Sequence, residues 1–140
     1  MSSVSFASEQ TDFIVSNQEN LTNWFIEVCK SESKTLGDLA FIFCSDDYLL
    51  GMNKQFLSHD YYTDVLTFHY TDTETTSGDV FISIDRVREN AETASQTIDN
   101  EIHRVMVHGL LHLLGYADKS PTEKTLMTSK EDFYLSLRAF

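Results

Sequence analysis

Apolar positions along the chain change period several times, and each change marks an element. Val4 to Phe6 reads as a short edge strand. After Asn17, read as a cap, Leu21, Trp24, Phe25 and Val28 recur at helical spacing and form a core-facing stripe. Leu39-Ala40-Phe41-Ile42-Phe43-Cys44 is a continuous apolar run, the mark of a strand covered on both faces. Ser45 and Asp46 cap a helix carrying Tyr48, Leu49, Met52 and Phe56. Asp64 to Tyr70 alternates like a strand, the polar tract Thr71 to Ser77 reads as a loop, and Gly78 to Ile84 is a further strand. Asp85 opens a polar helix to about Ser95, and a second helix begins near Asp99 with Ile102, Val105, Met106, Leu110 and Leu113 inward. Ser120-Pro121-Thr122-Glu123 has the form of a capping box with Pro at the first helical position, starting a last helix that ends near Leu137. Strands interleaved with helices imply an α/β (α+β) fold: a mixed sheet of three to four strands packed with about five helices.

Composition sharpens this picture. The 140 residues suit one domain spanning 1–140, and 41% hydrophobic content with five Gly and one Pro excludes a linker or tail. No apolar run approaches the roughly 20 residues that span a bilayer. Met1 to Gln10 has no basic residue ahead of an apolar stretch, so no secretory signal is expected. Cys29 and Cys44 each sit within an apolar pattern and read as buried free thiols. The formal net charge of −12 opposes a broad electrostatic footprint on nucleic acid, so any such binding requires a local basic or metal-centred patch.

Chemistry concentrates in His108-Gly109-Leu110-Leu111-His112-Leu113-Leu114-Gly115-Tyr116-Ala117-Asp118. Residues four apart share a helix face, so both imidazoles can reach one ion. Gly115 falls where the helix should end, and the chain can then turn Asp118 back toward the histidines. Two imidazoles, one carboxylate and an open position form a catalytic zinc pattern at the end of a central helix, so one Zn2+ (or another divalent ion) is expected on His108, His112 and Asp118. The spacing follows the metzincin pattern, except that Gly109 stands where a peptidase carries its general-base Glu. No general base is evident. Glu101 lies on the same stripe as His108 but reads as a first-turn acid favouring the helix dipole. His103 is off that stripe and reads as a surface or core histidine, while the spacing of His59 and His69 demands no role.

These residues resemble the YbeY family of single-strand-specific endoribonucleases of bacterial ribosomal RNA maturation. The run H-G-L-L-H-L-L-G-Y-A-D is similar to that family's H-G-x-L-H-L-x-G-Y-D-H. Met52-Asn53 through Phe56, Asp60, and Thr63-Asp64-Val65-Leu66-Thr67-Phe68 resemble its L-N-x-x-Y-R-x-x-D-x-P-T-D-V-L-S-F. Gly78-Asp79-Val80-Phe81-Ile82-Ser83 resembles its G-D-I-x-I-S strand. The resemblance implies a cytoplasmic, zinc-dependent hydrolase acting on single-stranded ribosomal RNA, with the small ribosomal subunit as partner and a role in ribosome quality control. It places His108 and His112 at the first two ligands and Asp118 at the third, where the family has His. A one-residue slip would instead align Asp118 with the preceding Asp; the direct alignment keeps the ten-residue spacing from His108. The family's Arg, a phosphate clamp by its chemistry, falls at Leu57, and its Pro at Tyr62. Lys54, Arg104 and Lys119 are the nearby cations that would have to replace the Arg. Two rival readings stay open: an assembly factor with a structural metal, which the acidity and Leu57 favour, and a hydrolase of another substrate.

Overall fold

The computed structural model describes residues 3–70 and 75–140. The element order is β1 (Ser3–Glu9), α1 (Gln18–Ser31), β2 (Thr35–Cys44), α2 (Asp46–Leu57), β3 (Val65–His69), β4 (Thr75–Ser83), α3 (Ile84–Thr93), α4 (Ile98–Leu113) and α5 (Pro121–Ser136). The four strands form one mixed sheet in the order β1-β2-β4-β3. β1 and β4 flank β2 in parallel, and β3 closes the edge antiparallel to β4.

Strand alternation divides the core. Phe41 and Phe43 of β2 and Val80 and Ile82 of β4 face one side, where α1 and α4 supply Phe25, Val28, Ile102, Met106 and Leu110. The opposite face carries a smaller cluster in which Leu49 of α2 meets Leu66, Phe68 and Phe81. α4 lies close against the sheet because Gly109 has no side chain: a Cβ there would stand 2.5 Å from Val80 Cγ1. That contact explains why the metzincin Glu has no counterpart here, since a long side chain at 109 would enter the sheet.

Caps set the helix starts. The Ser45, Ser83, Thr97 and Ser120 hydroxyls each accept a backbone N–H from the first turn, and Ser120 with Glu123 completes a capping box. Three expectations shift. Asn17 occupies the N-cap position of α1 in the left-handed region (φ 62°) and makes no side-chain cap bond. α3 starts from Ser83 rather than Asp85, whose carboxylate instead accepts the Asp46 N–H at 2.8 Å. β2 begins at Thr35, and β4 begins at Thr75 within the expected loop, because Thr35 and Leu36 pair with Thr75 and Thr76. The remainder of that loop, 71–74, lies outside the described residues. Both cysteines are free and buried, and burial pushes each thiol up to about 12. Among the described residues no helix is long and apolar enough to cross a membrane.

Candidate metal centre

α4 presents His108 and His112 one turn apart at its C-terminal end, and the chain leaves the helix at Gly115. The φ of +107° at Gly115 is open to glycine and costly for other residues. Backbone bonds from Gly115 N to His112 O and from Tyr116 N to Leu111 O tie the turn back onto the helix. Asp118 is thereby brought to the two rings.

The donor atoms converge. His108 Nε2 and His112 Nε2 are 3.0 Å apart, and Asp118 Oδ2 stands 3.3 Å from the first and 3.2 Å from the second. A tetrahedral zinc ion holding ligands at about 2.0–2.1 Å sets those atoms roughly 3.3–3.4 Å apart. The triangle therefore fits one face of such a tetrahedron with only small adjustments, and this group could hold a metal ion.

Each imidazole is oriented from behind. The His108 Nδ1–H donates to Glu131 Oε2 at 2.6 Å, and the His112 Nδ1–H donates to the Tyr116 carbonyl at 2.9 Å. A carbonyl can only accept, so His112 carries its proton on Nδ1 and leaves the Nε2 lone pair for the site. Burial alone would lower the His108 pKa. The Glu131 hydrogen bond and charge, with Asp64 and Asp118, override it, and the net direction is up. A carboxylate behind a metal-facing imidazole makes the ring a stronger donor.

Glu131 was not legible as a site residue, since it lies on α5, 23 residues beyond His108. One signal was present: it falls on the buried stripe Met127, Glu131, Tyr134, Leu135, where a charged side chain calls for a partner. Its other oxygen accepts from Arg104 Nη1 at 3.0 Å, while Arg104 Nη2 donates to Asp132 at 2.9 Å. Arg104 is thus engaged by two acids behind the site and is no replacement for a clamp in front of it. Lys54 pairs with Asp60 at 3.2 Å. Lys119 is exposed beside Asp118.

The trio opens into a cleft of about 300 Å3 between α4, β3 and the segment after α2, which Leu57, His59, Tyr61 and Asp64 also line. Leu57 thus places an apolar side chain in this wall. His59, which no spacing argument had placed, is a cleft residue, whereas His69 ends β3 on the surface. His103 is a core histidine, packed on Trp24 and Phe140 and accepting from Arg138 Nη1 at 2.7 Å; burial and Arg138 lower its pKa to about 4. Glu101 sits in the first turn of α4, as expected, and is buried there; desolvation raises its pKa against the pull of Arg104.

The sequence model of the endoribonuclease YbeY family matches residues 4–138. An endoribonuclease YbeY of Cytophaga hutchinsonii is 47% identical over 136 residues, 96% of this chain and 95% of the relative. Another from Bacteroides thetaiotaomicron is 48% identical over 117 residues, 84% and 85% of the two chains. A Thermotoga maritima protein solved in solution shares the fold with a TM-score of 0.66 at 28% identity, covering 96% of this chain and 87% of its own.

Proposed function

Because this chain belongs to the endoribonuclease YbeY family, we propose that it is a single-domain, metal-dependent endoribonuclease, residues 1–140, that cuts single-stranded ribosomal RNA. The observation that carries the reading is the triangle of His108 Nε2, His112 Nε2 and Asp118 Oδ2, 3.0–3.3 Å on a side and open to a cleft. Zinc suits two neutral imidazoles and one carboxylate. When bound, such an ion lowers the pKa of water and polarises a phosphate oxygen.

The chain's own groups do the rest. His108 and His112 are locked with Nε2 forward by Glu131 and the Tyr116 carbonyl, so the site forms with little reorganisation. Asp118 adds negative charge, which moderates the pull on an incoming phosphate. Asp64 is the other acid lining the cleft among the described residues. With Gly109 closed to a Glu, Asp64 would take a proton from the attacking water. Asp64→Asn should lower kcat by about 10²–10⁴-fold, the range of general-base catalysis, with metal content unchanged; an unaltered kcat would remove Asp64 from the chemistry.

The RNA would be ribosomal and the partner the small ribosomal subunit, in the cytoplasm, with roles in rRNA maturation and quality control. A second reading, an assembly factor with a structural metal, is favoured by one observation: no Lys or Arg lines the cleft among the described residues. A structural zinc site is closed by four protein ligands, however, and here three are grouped. The discriminating experiment offers zinc-loaded protein a labelled single-stranded rRNA fragment, its duplex and a peptide, each beside His112→Ala. Cutting of the single strand by the wild type alone is expected. Intact RNA with zinc still bound would favour the assembly factor.

A further inference from the structure

The cleft poses a physical problem for an RNA. Two acids, Asp64 and Asp118, line it, no cationic side chain does so among the described residues, and the chain carries a net charge of −12. The cleft's side chains therefore offer a phosphate no Lys or Arg partner among the described residues. A strand held there needs grip that does not depend on charge.

The segment after α2 supplies such a surface. His59 and Tyr61 stack with ring centroids 5.1 Å apart and planes inclined by 20°, and the Tyr61 hydroxyl bonds His59 Nδ1 at 2.9 Å. Both line the cleft, and Tyr61 remains 56% exposed, so the stacked pair is open to solvent. The pair is also held in place. Asn53, 1% exposed, donates from Nδ2 to the Tyr61 carbonyl at 2.9 Å, and its own carbonyl accepts the His59 N–H at 3.1 Å. The backbone at both positions is thus tied to one buried residue of α2, while the hydroxyl-to-imidazole bond joins the two rings to each other. Leu57, at the α2 end of the same wall, adds apolar surface. Nearby Tyr62 is occupied differently: its hydroxyl donates to Asp47 and its ring face lies under the Arg86 guanidinium.

We propose that the His59–Tyr61 pair is a nucleobase-stacking subsite that holds a base next to the scissile phosphate. The inference rests on the endoribonuclease reading for its ligand. Every base offers a π face, so this grip is tolerant of sequence and insensitive to the acidic surroundings. It also requires an unpaired strand, since a base within a duplex has both faces covered. Single-strand preference then comes from the protein's own aromatic surface.

Binding tests this separately from cleavage. The probe is a fluorescein-labelled single strand with cleavage-resistant 2′-O-methyl riboses, titrated by anisotropy into zinc-loaded full-length protein, Tyr61→Ala and Tyr61→Trp. A second series moves one abasic nucleotide along the strand. Tyr61→Ala should weaken binding by roughly 5- to 150-fold, the range carried by stacking of one base on an aromatic ring. Tyr61→Trp should restore affinity and show indole fluorescence quenched by the strand. One abasic position should cost the wild type the same factor and cost Tyr61→Ala nothing. Zinc content and melting temperature of each variant check that the fold is kept. Equal affinity of Tyr61→Ala and wild type, equal abasic penalties in both, or no binding of the strand by the wild type would each overturn the subsite. Loss of zinc from Tyr61→Ala would make the ring a support of the metal centre and would also overturn it. Base-dependent binding by a protein that cuts no RNA would refute the nuclease reading while leaving the subsite standing.

Discussion

Glu131→Gln isolates the charge behind His108 from the shape of its side chain. The carboxylate is buried and accepts from two donors at once, His108 Nδ1 at 2.6 Å and Arg104 Nη1 at 3.0 Å. Glutamine has the same volume but one carbonyl oxygen and one NH2. Whichever way the amide turns, one of the two donors faces another donor. If Arg104 keeps the oxygen, His108 loses both its acceptor and its tautomer lock. Loss of such a partner lowers metal affinity by about 10–100-fold, or roughly 1.4–2.7 kcal/mol. The mispaired buried donor should also lower the stability of the apo-protein by about 1–3 kcal/mol. Zinc affinity is read by competition with a chromophoric chelator at pH 7.5, and stability by urea unfolding of the apo-protein. Arg104→Ala is the control: it disturbs the same acid but leaves the His108–Glu131 bond, so zinc affinity should change by less than about threefold. Glu131→Gln with wild-type zinc affinity, or Arg104→Ala with an equal loss, would refute the assignment of Glu131 as the residue that orients His108.

Two further outcomes follow from packing and burial. His103 is held neutral with its pKa lowered to about 4, whereas in the unfolded chain it titrates near 6.5. The unfolded state therefore binds more protons between these values, and stability falls as pH drops from 6.5 toward 4, by about 3 kcal/mol in all. Urea unfolding at pH 7 and pH 4.5 should show this slope, and His103→Gln should flatten it; an unchanged slope would exclude His103 as its source. Gly109→Ala puts a Cβ 2.5 Å from Val80 Cγ1 and 3.3 Å from Val80 Cγ2. It should cost about 1–3 kcal/mol by overpacking, with part of the loss recovered in Gly109→Ala/Val80→Ala; a neutral single variant would contradict the close approach of α4 to the sheet.

What was legible in the amino-acid pattern is what local physics decides. The inward stripe of α4, the apolar run of β2 and the Ser45 and Ser120 caps each follow from periodicity or from a hydroxyl beside free N–H groups. The His108, His112 and Asp118 grouping was legible for the same reason: one helical turn plus a glycine exit brings them together within eleven residues. What was missed depends on contacts between distant segments. Thr75 to Ser77 look polar, but backbone pairing with β2 makes Thr75 and Thr76 a strand, and its ladder runs on through Gly78. Glu131 reaches His108 only because α5 folds back over α4. Arg104 was among the cations considered as a replacement for the missing Arg, yet two α5 acids hold it. Asn17 carried a capping side chain, but its left-handed backbone leaves that side chain without a cap bond.

The most direct test of the metal-dependent nuclease is a zinc titration of RNA cleavage. Chelator-stripped wild type and His112→Ala, purified side by side, are given increasing zinc and a labelled single-stranded RNA. Cleavage by the wild type should be absent without zinc, rise linearly and level off at one equivalent per chain, while His112→Ala stays inactive throughout. Cutting by the stripped wild type, or equal cutting by His112→Ala, would contradict it.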